Sequence, residues 1–226
     1  MFDAKQQKNI DRMMHDIDAE VRFTHKMTGV DTLSSAVIHA MQSVPRHKFV
    51  PTDMMPFAYH NGPLSIGKGQ TISQPFIVAL MTHLLAVDHE STVLEIGTGS
   101  GYQAAVLASI VKKVYSVEVI EALSISAATK FKELSINNIE TQIADGYYGW
   151  QEHAPFDGII VTAAAKQIPE PLISQLKCNA KLVIPVGYPG STQDLVVVEK
   201  DSQGKVSEKS VLAVAFVPLT HANTSY

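Results

Sequence analysis

Val93-Leu94-Glu95-Ile96-Gly97-Thr98-Gly99-Ser100-Gly101-Tyr102 is the stretch whose reading decides the fold. Val93 to Ile96 is a short apolar run bounded by turn residues, which predicts a buried strand. Gly97 to Gly101 is a glycine turn, and Tyr102 to Val111 reads as a helix. Downstream the alternation repeats. Lys113–Val119, Glu140–Ala144, Phe156–Val161 and Lys181–Pro185 read as strands, with a helix at Leu123–Leu134 and a helical turn at Pro171–Leu176. Strand and helix in alternation predict a doubly wound α/β fold around a mostly parallel sheet. Two more strands are expected at Leu195–Glu199 and Leu212–Pro218. The chain between them is short for a crossover helix, so an antiparallel hairpin is expected at the sheet edge.

In such sheets ligands bind beyond the carboxyl ends of the strands, where the strand order reverses. Glycine lets the backbone come close to a ligand. The spacing is Gly-x-Gly-x-Gly, which weakens a dinucleotide reading without removing it. Glu118 ends the second strand, where a carboxylate accepts hydrogen bonds from ribose hydroxyls. Asp145-Gly146 ends the third, beside the place a base would take. Each has a plainer reading: a tight connection, a solvated strand-end charge, an ordinary turn. Together on consecutive strand ends they point to a nucleoside without a pyrophosphate. No Gly-x-x-x-x-Gly-Lys-Ser/Thr is present, so nucleoside triphosphate binding is unsupported.

Composition narrows the class. The 226 residues carry 18 basic and 22 acidic groups, a formal charge of -4, with 46% hydrophobic residues. Disorder would need less apolar content, and nucleic-acid binding would need a basic footprint. The single cysteine, Cys178, forbids an internal disulfide and reads as an inert small apolar residue in a reducing compartment. Met1 to Glu20 holds no signal-peptide core and no run suggests a membrane span, so a cytoplasmic setting is expected. The nine histidines show no metal-ligand spacing, and no metal is expected.

Ahead of the glycine turn, Ile10, Met13, Met14, Ile17 and Val21 recur at helical spacing. Leu33 to Met41 predicts a second helix that stops before Pro45. The first helix could pack on its own domain or on another subunit; oligomeric state is left open. Pro45 to Gln70 is irregular and rich in Pro and Gly, and Tyr59 to Gln70 is a candidate covering loop. Ser73 precedes Gln74-Pro75 and an apolar helical run, which suits a helix N-cap. A cap does not account for the neighbouring Gly67, Gly69, Gln70 and Thr71, and a helix N-terminus also suits a carboxylate ligand. Lys68 reads as a solvated loop lysine or a weak attractor of that carboxylate.

Four segments together resemble the protein-L-isoaspartate (D-aspartate) O-methyltransferases. They are Val44-Pro-Arg-His-Lys-Phe-Val-Pro51, Ile66-Gly-Lys-Gly-Gln-Thr-Ile-Ser-Gln-Pro75, the glycine segment Val93 to Tyr102, and Phe156-Asp-Gly-Ile-Ile-Val-Thr-Ala-Ala164. The resemblance runs from about Val30 to Leu219. The glycine segment is shared with many methyltransferases, whereas Gly69 to Pro75 is far more specific. The resemblance implies a Rossmann-like methyltransferase fold with N-terminal helices. It implies methyl transfer from S-adenosylmethionine, leaving S-adenosylhomocysteine, to the carboxylate of L-isoaspartyl and possibly D-aspartyl residues in damaged proteins. The ester then cyclises to a succinimide. By resemblance Ser73 is the active-site serine. Glu95, Gly97, Thr98, Gly99, Ser100, Glu118, Asp145, Gly146 and Thr162 fall on cofactor-binding segments. Ile72, Ser73, Thr162, Ala163 and Ala164 fall beside the substrate. One domain over 1–226 is expected, with 1–75 helical and substrate-covering and 76–226 the cofactor-binding core.

Four places depart from the family pattern: Lys177-Cys-Asn-Ala180 stands where a Gly-Gly turn is usual, His60-Asn61 and Ala215 differ in charge, and the N-terminal stretch is longer than in the short bacterial forms. The chemistry fits without the name. A carboxylate is ionised at pH 7, so alignment and removal of water suffice. The rivals are a methyltransferase for a small molecule or another carboxylate, a non-enzymatic cofactor-binding scaffold, an NAD(P) oxidoreductase and an RNA methyltransferase. The last is disfavoured by the acidic balance.

Overall fold

The computed structural model describes residues 2–188 and 191–220. Met1 and residues 221–226, part of the expected 1–226 unit, lie outside the described residues. The chain opens with helix α1 (Ala4–Thr28), started by a capping box between Asp3 and Gln6 and stopped at Gly29, whose φ of 73° only glycine adopts easily. Helix α2 (Ser35–Ser43) follows, with the Ser34 hydroxyl accepting the Val37 amide. Ile10, Met13, Ile17 and Val21 are buried in this chain's own core, where α1 packs on α2 and α3.

The stretch expected to be irregular holds more structure than its Pro and Gly content suggested. Two 3-10 segments, Arg46–Phe49 and Thr52–Phe57, lead into a hairpin of β1 (Leu64–Gly67) and β2 (Gln70–Ile72). Its two-residue turn has Lys68 at φ 54° and Gly69 at φ 69°, the left-handed pair that tight hairpins need. Helix α3 (Pro75–Leu85) comes next.

The sheet follows as β3 (Thr92–Ile96), α4 (Tyr102–Ala108), β4 (Lys113–Glu118), α5 (Glu121–Glu133), β5 (Ile139–Ile143), β6 (Phe156–Val161), α6 (Glu170–Ser174), β7 (Leu176–Val186), β8 (Gln193–Lys200) and β9 (Val206–Val214). Strand order is β5-β4-β3-β6-β7-β8-β9. The first five are parallel, and β7-β8-β9 is an antiparallel meander. The expected edge hairpin is present, shifted toward the N-terminus relative to Leu212–Pro218. The fifth core strand also starts earlier than Lys181. Lys177 to Ala180 lie inside β7, with Asn179 at φ 60° and a register shift against β6. Cys178 is exposed on that irregular stretch.

Both sheet faces are covered, which is why the central strands read as apolar runs. Val93, Val114, Ile160 and Val183 face α1 to α5. Leu94, Ile96, Val117 and Ile159 face the other side, with Trp150 and Leu172. The chain builds outward from β3 to β5, then returns to β6 on the other flank of β3. Right-handed crossovers then put helices on opposite faces, and the ends of β3 and β6 open a crevice.

Candidate functional site

The crevice is shaped by backbone hydrogen bonds of the glycine turn. Gly97 N donates to Val117 O at 2.8 Å, and Gly101 N to Thr98 O at 2.8 Å. Gly97 has φ 95°, and a Cβ there would stand 2.5 Å from Thr162 Oγ1. That crowding exists because the Thr162 hydroxyl donates to Gly97 O at 2.6 Å, tying the end of β6 to the turn. Gly101, at φ 88°, gives way to Phe131 of α5. Gly99 (φ 53°) faces the cavity, and the hairpin's Ile66 is 3.7 Å from where its Cβ would be.

Glu118 closes one end. It is 6% exposed, and both carboxylate oxygens are already oriented. Gly99 N donates to Oε2 at 2.7 Å and Ile120 N to Oε1 at 2.9 Å. Each oxygen keeps a lone pair for a further donor, and Glu118 lines the cavity. A carboxylate held this way suits a vicinal diol.

The other sequence candidates divide. Gly97, Thr98, Gly99, Ser100, Gly146, Thr162 and Ala163 line this cavity, as do Ile72 and Ser73 from the opposite wall. Ser100 also accepts the Tyr102 amide at the start of α4. Gly146 is required by contact: a Cβ there would overlap Ile96 Cγ2. Asp145 caps the short turn after β5, its Oδ1 accepting the Tyr147 amide at 3.0 Å, and the cavity wall at this place is Gly146. Ala164 is buried behind the wall, where its amide donates to Val217 O and its carbonyl accepts from Leu219 N.

Glu95 does not reach the cavity. It is 0% exposed on the α4 side of the sheet, paired across the strands with Ser116. The Ser116 hydroxyl donates to Glu95 Oε2 and lies 2.6 Å from Thr98 Oγ1. Burial, helped by the charge of Glu118, pushes the Glu95 carboxyl up to about 8. Burial thus disfavours the charged form of Glu95, which props the turn from beneath.

Ser73 is not the N-cap of α3. Gln74 holds that position without a side-chain bond, and Asn61 Oδ1 instead accepts the Phe76 amide at 3.1 Å. The Ser73 hydroxyl has no hydrogen-bond partner among the described residues, while its carbonyl accepts from Arg46 at 2.7 Å. Ser73, Thr71 and Thr162 line a second cavity as well, with Phe76, Ile77 and the end of β9 on its far side. The two cavities therefore meet at Ser73 and Thr162.

Sequence reasoning missed the tail after β9. Val217 lines both cavities. Gln193 fixes this tail by imitating a strand: its Nε2 donates to Phe216 O at 3.1 Å and its Oε1 accepts Phe216 N at 2.6 Å. A lone glutamine and a short apolar tail carry no pattern that would have exposed this.

The sequence profile of the family described as protein-L-isoaspartate(D-aspartate) O-methyltransferase matches residues 20–224. Protein-L-isoaspartate O-methyltransferase 2 of Syntrophobacter fumaroxidans is 54% identical over 92% of this chain and 85% of its own. The enzyme of the same name from Polaromonas sp. is 53% identical over 92% of this chain and 99% of its own. A solved protein-L-isoaspartate O-methyltransferase superposes with a TM-score of 0.82 at 25% identity, covering 94% of this chain; this chain spans 66% of that one's length. A Plasmodium falciparum structure described as a beta-aspartate methyltransferase in complex with S-adenosyl-L-homocysteine shares the fold, with a TM-score of 0.73 at 24% identity over 92% of this chain and 98% of that one. By profile and by these relatives, the chain belongs to the protein-L-isoaspartate (D-aspartate) O-methyltransferase family.

Proposed function

We propose that this chain repairs damaged proteins by methylating the carboxylate of L-isoaspartyl residues, with S-adenosylmethionine as cofactor, and that the two adjoining cavities divide the work. The observation that carries this reading is their meeting at Ser73 and Thr162, one cavity ending on the fixed carboxylate of Glu118. The residues fit the cofactor. Glu118 would hold the ribose hydroxyls, Gly146 would border the base, and Gly97 to Gly99 would pass beneath the remainder. Bound there, S-adenosylmethionine supplies a methyl on a sulfonium with a neutral leaving group.

Everything else falls to the chain. The isoaspartyl carboxylate, with an ordinary pKa of about 4, is ionised at pH 7 and needs no base. Ser73 donates its hydroxyl hydrogen to that carboxylate and orients it. Thr162 and Ala163 bound the transfer point by shape, because the Thr162 hydroxyl is committed to Gly97 O. The β1–β2 hairpin, with Ile66 over Gly99, and the Val217–Leu219 tail exclude water. An extended peptide would run through the second cavity past Phe76 and β9. In this reading residues 1–75 and 76–226 form one domain that acts in the cytoplasm without nucleic acid. Among the described residues no helix is long and apolar enough to cross a membrane.

The test is methyl transfer from labelled S-adenosylmethionine to two peptides that differ only in L-isoaspartyl or L-aspartyl at one position. Base-labile label on the isoaspartyl peptide alone is the expected result. Equal labelling of both, or none with the cofactor bound, overturns the substrate assignment.

A further inference from the structure

Arg46 is the largest fully buried side chain among the described residues, at 0% exposure. Its Nε donates to Ala58 O at 2.8 Å, and its Nη2 to Ser73 O at 2.7 Å. Its Cζ lies 4.8 Å from the ring centroid of Tyr102, the first residue of α4 after the glycine turn. Its Nη1 is buried with no hydrogen-bond partner. The Arg and Lys ion pairs among the described residues belong to Arg22, Lys113 and Lys177, so no carboxylate neutralises Arg46. Burial lowers its pKa to about 10, so it is still a cation at pH 7.

A buried guanidinium without a counter-charge is costly, and a leucine or methionine would fill apolar space without that cost. Its planar fork offers what they lack: two fixed donors for two carbonyls in non-repetitive chain, 15 residues apart. One carbonyl is that of Ser73, at the junction of the two cavities. The other lies just ahead of Asn61, which caps α3 from the same loop. The flat face rests on the helix that carries the glycine turn.

We propose that Arg46 is a positioning residue for methyl transfer: it locks the Ser73 main chain against Tyr102 and so sets where the Ser73 hydroxyl points relative to the transfer point. The proposal rests on the reading of Ser73 as the group that orients the substrate carboxylate. Arg46 itself touches neither cavity. A misplacement of about 1 Å at a reacting centre costs up to about 100-fold in rate, so loss of the fork is read in turnover before it is read in cofactor affinity.

The experiment is a double-mutant cycle of Arg46→Lys and Ser73→Ala in the full chain. Lysine keeps the charge but supplies a single point of donation. The readouts are kcat and KM on an isoaspartyl peptide, per site competent to bind S-adenosylhomocysteine by calorimetry, together with the melting temperature. In the otherwise intact chain, Arg46→Lys is expected to lower kcat at least about tenfold, with the dissociation constant for S-adenosylhomocysteine within about twofold. In the Ser73→Ala background the same change should cost less than about twofold further, the non-additivity of coupled residues. Additive losses, or a lower melting temperature with kcat per competent site intact, overturn the proposal. So does loss of cofactor binding in Arg46→Lys, which would make Arg46 a general support of the fold. The unmutated chain is the separate control: if it does not methylate the isoaspartyl peptide, the substrate reading fails before the cycle begins.

Discussion

The glycine turn at 97–101 and the segment from Pro45 to Pro75 wall the same cavity, yet different forces hold them. The turn is fixed at the end of a seven-stranded sheet by backbone bonds and by Thr162 and Glu118 at the neighbouring strand ends, with Gly97 and Gly101 placed where a side chain would collide. The earlier segment has only short turns and its own hairpin, and single side chains tie these pieces together: Arg46 to Ala58 and Ser73, and Asn61 to Phe76. A rim made by topology serves a cofactor of constant shape. A wall held by single side chains is fixed only where they pin it, as Arg46 pins the Ser73 carbonyl.

The sharpest way to break this comparison is Glu118→Ala. Glu118 both offers the diol acceptor and braces the Gly99 and Ile120 amides. Losing charge-assisted hydrogen bonds, each of about 1.5–3 kcal/mol, predicts a fall in S-adenosylhomocysteine affinity of about 100-fold by calorimetry. A change within about threefold would mean that the turn binds without its carboxylate.

Glu95 tests the floor under the turn. Its carboxyl is pushed up to about 8 by burial, from 4.5 in the unfolded chain. The folded state therefore holds a proton that the unfolded chain has released. Its stabilising contribution is complete below 4.5 and is lost as pH rises toward 8. Glu95→Gln does not titrate. Its melting temperature should gain on that of the parent between pH 5 and 8 (a range within the window set by the two pKa values). A difference that stays flat with pH would show that Glu95 is ionised in the fold.

Gly146→Ala probes close approach alone. The new methyl would overlap Ile96 Cγ2 at the end of β3. Overpacking of this kind costs about 1–3 kcal/mol, visible as a lower denaturation midpoint. No change would mean that β5 and its turn shift freely, and that this part of the rim is less rigid than the turn.

The same contrast explains what was legible beforehand. Strand–glycine turn–helix is a local pattern, so the sheet, its antiparallel edge and Glu118 could be read from spacing. Glu95 carries the same letter as Glu118 but sits on a strand position that points into the core, and composition cannot separate a carboxyl sealed beneath the turn from one that lines the cavity. The loop was harder. Pro and Gly marked it as irregular, but the β1–β2 hairpin needed the left-handed pair Lys68-Gly69, and lysine is a weak signal there. Arg46 and Asn61 act across 27 and 15 residues. Gln193 acts across 23. Such contacts have no periodicity to betray them.

The smallest expected effect discriminates best within the loop. Ser73 looks like a helix cap in sequence, whereas Asn61 performs that task in space. Asn61→Ala should therefore lower stability by about 1 kcal/mol, the usual worth of a side-chain cap. It should leave turnover per folded molecule nearly intact. Ser73→Ala should do the reverse: an unchanged melting temperature, unchanged cofactor affinity, and roughly tenfold slower methyl transfer from loss of one positioned donor, worth about 1.4 kcal/mol. Thermal melts and single-turnover rates on the same two variants decide it. If Ser73→Ala loses stability and keeps its rate, the Ser73 hydroxyl supports the helix start and does not orient the carboxylate.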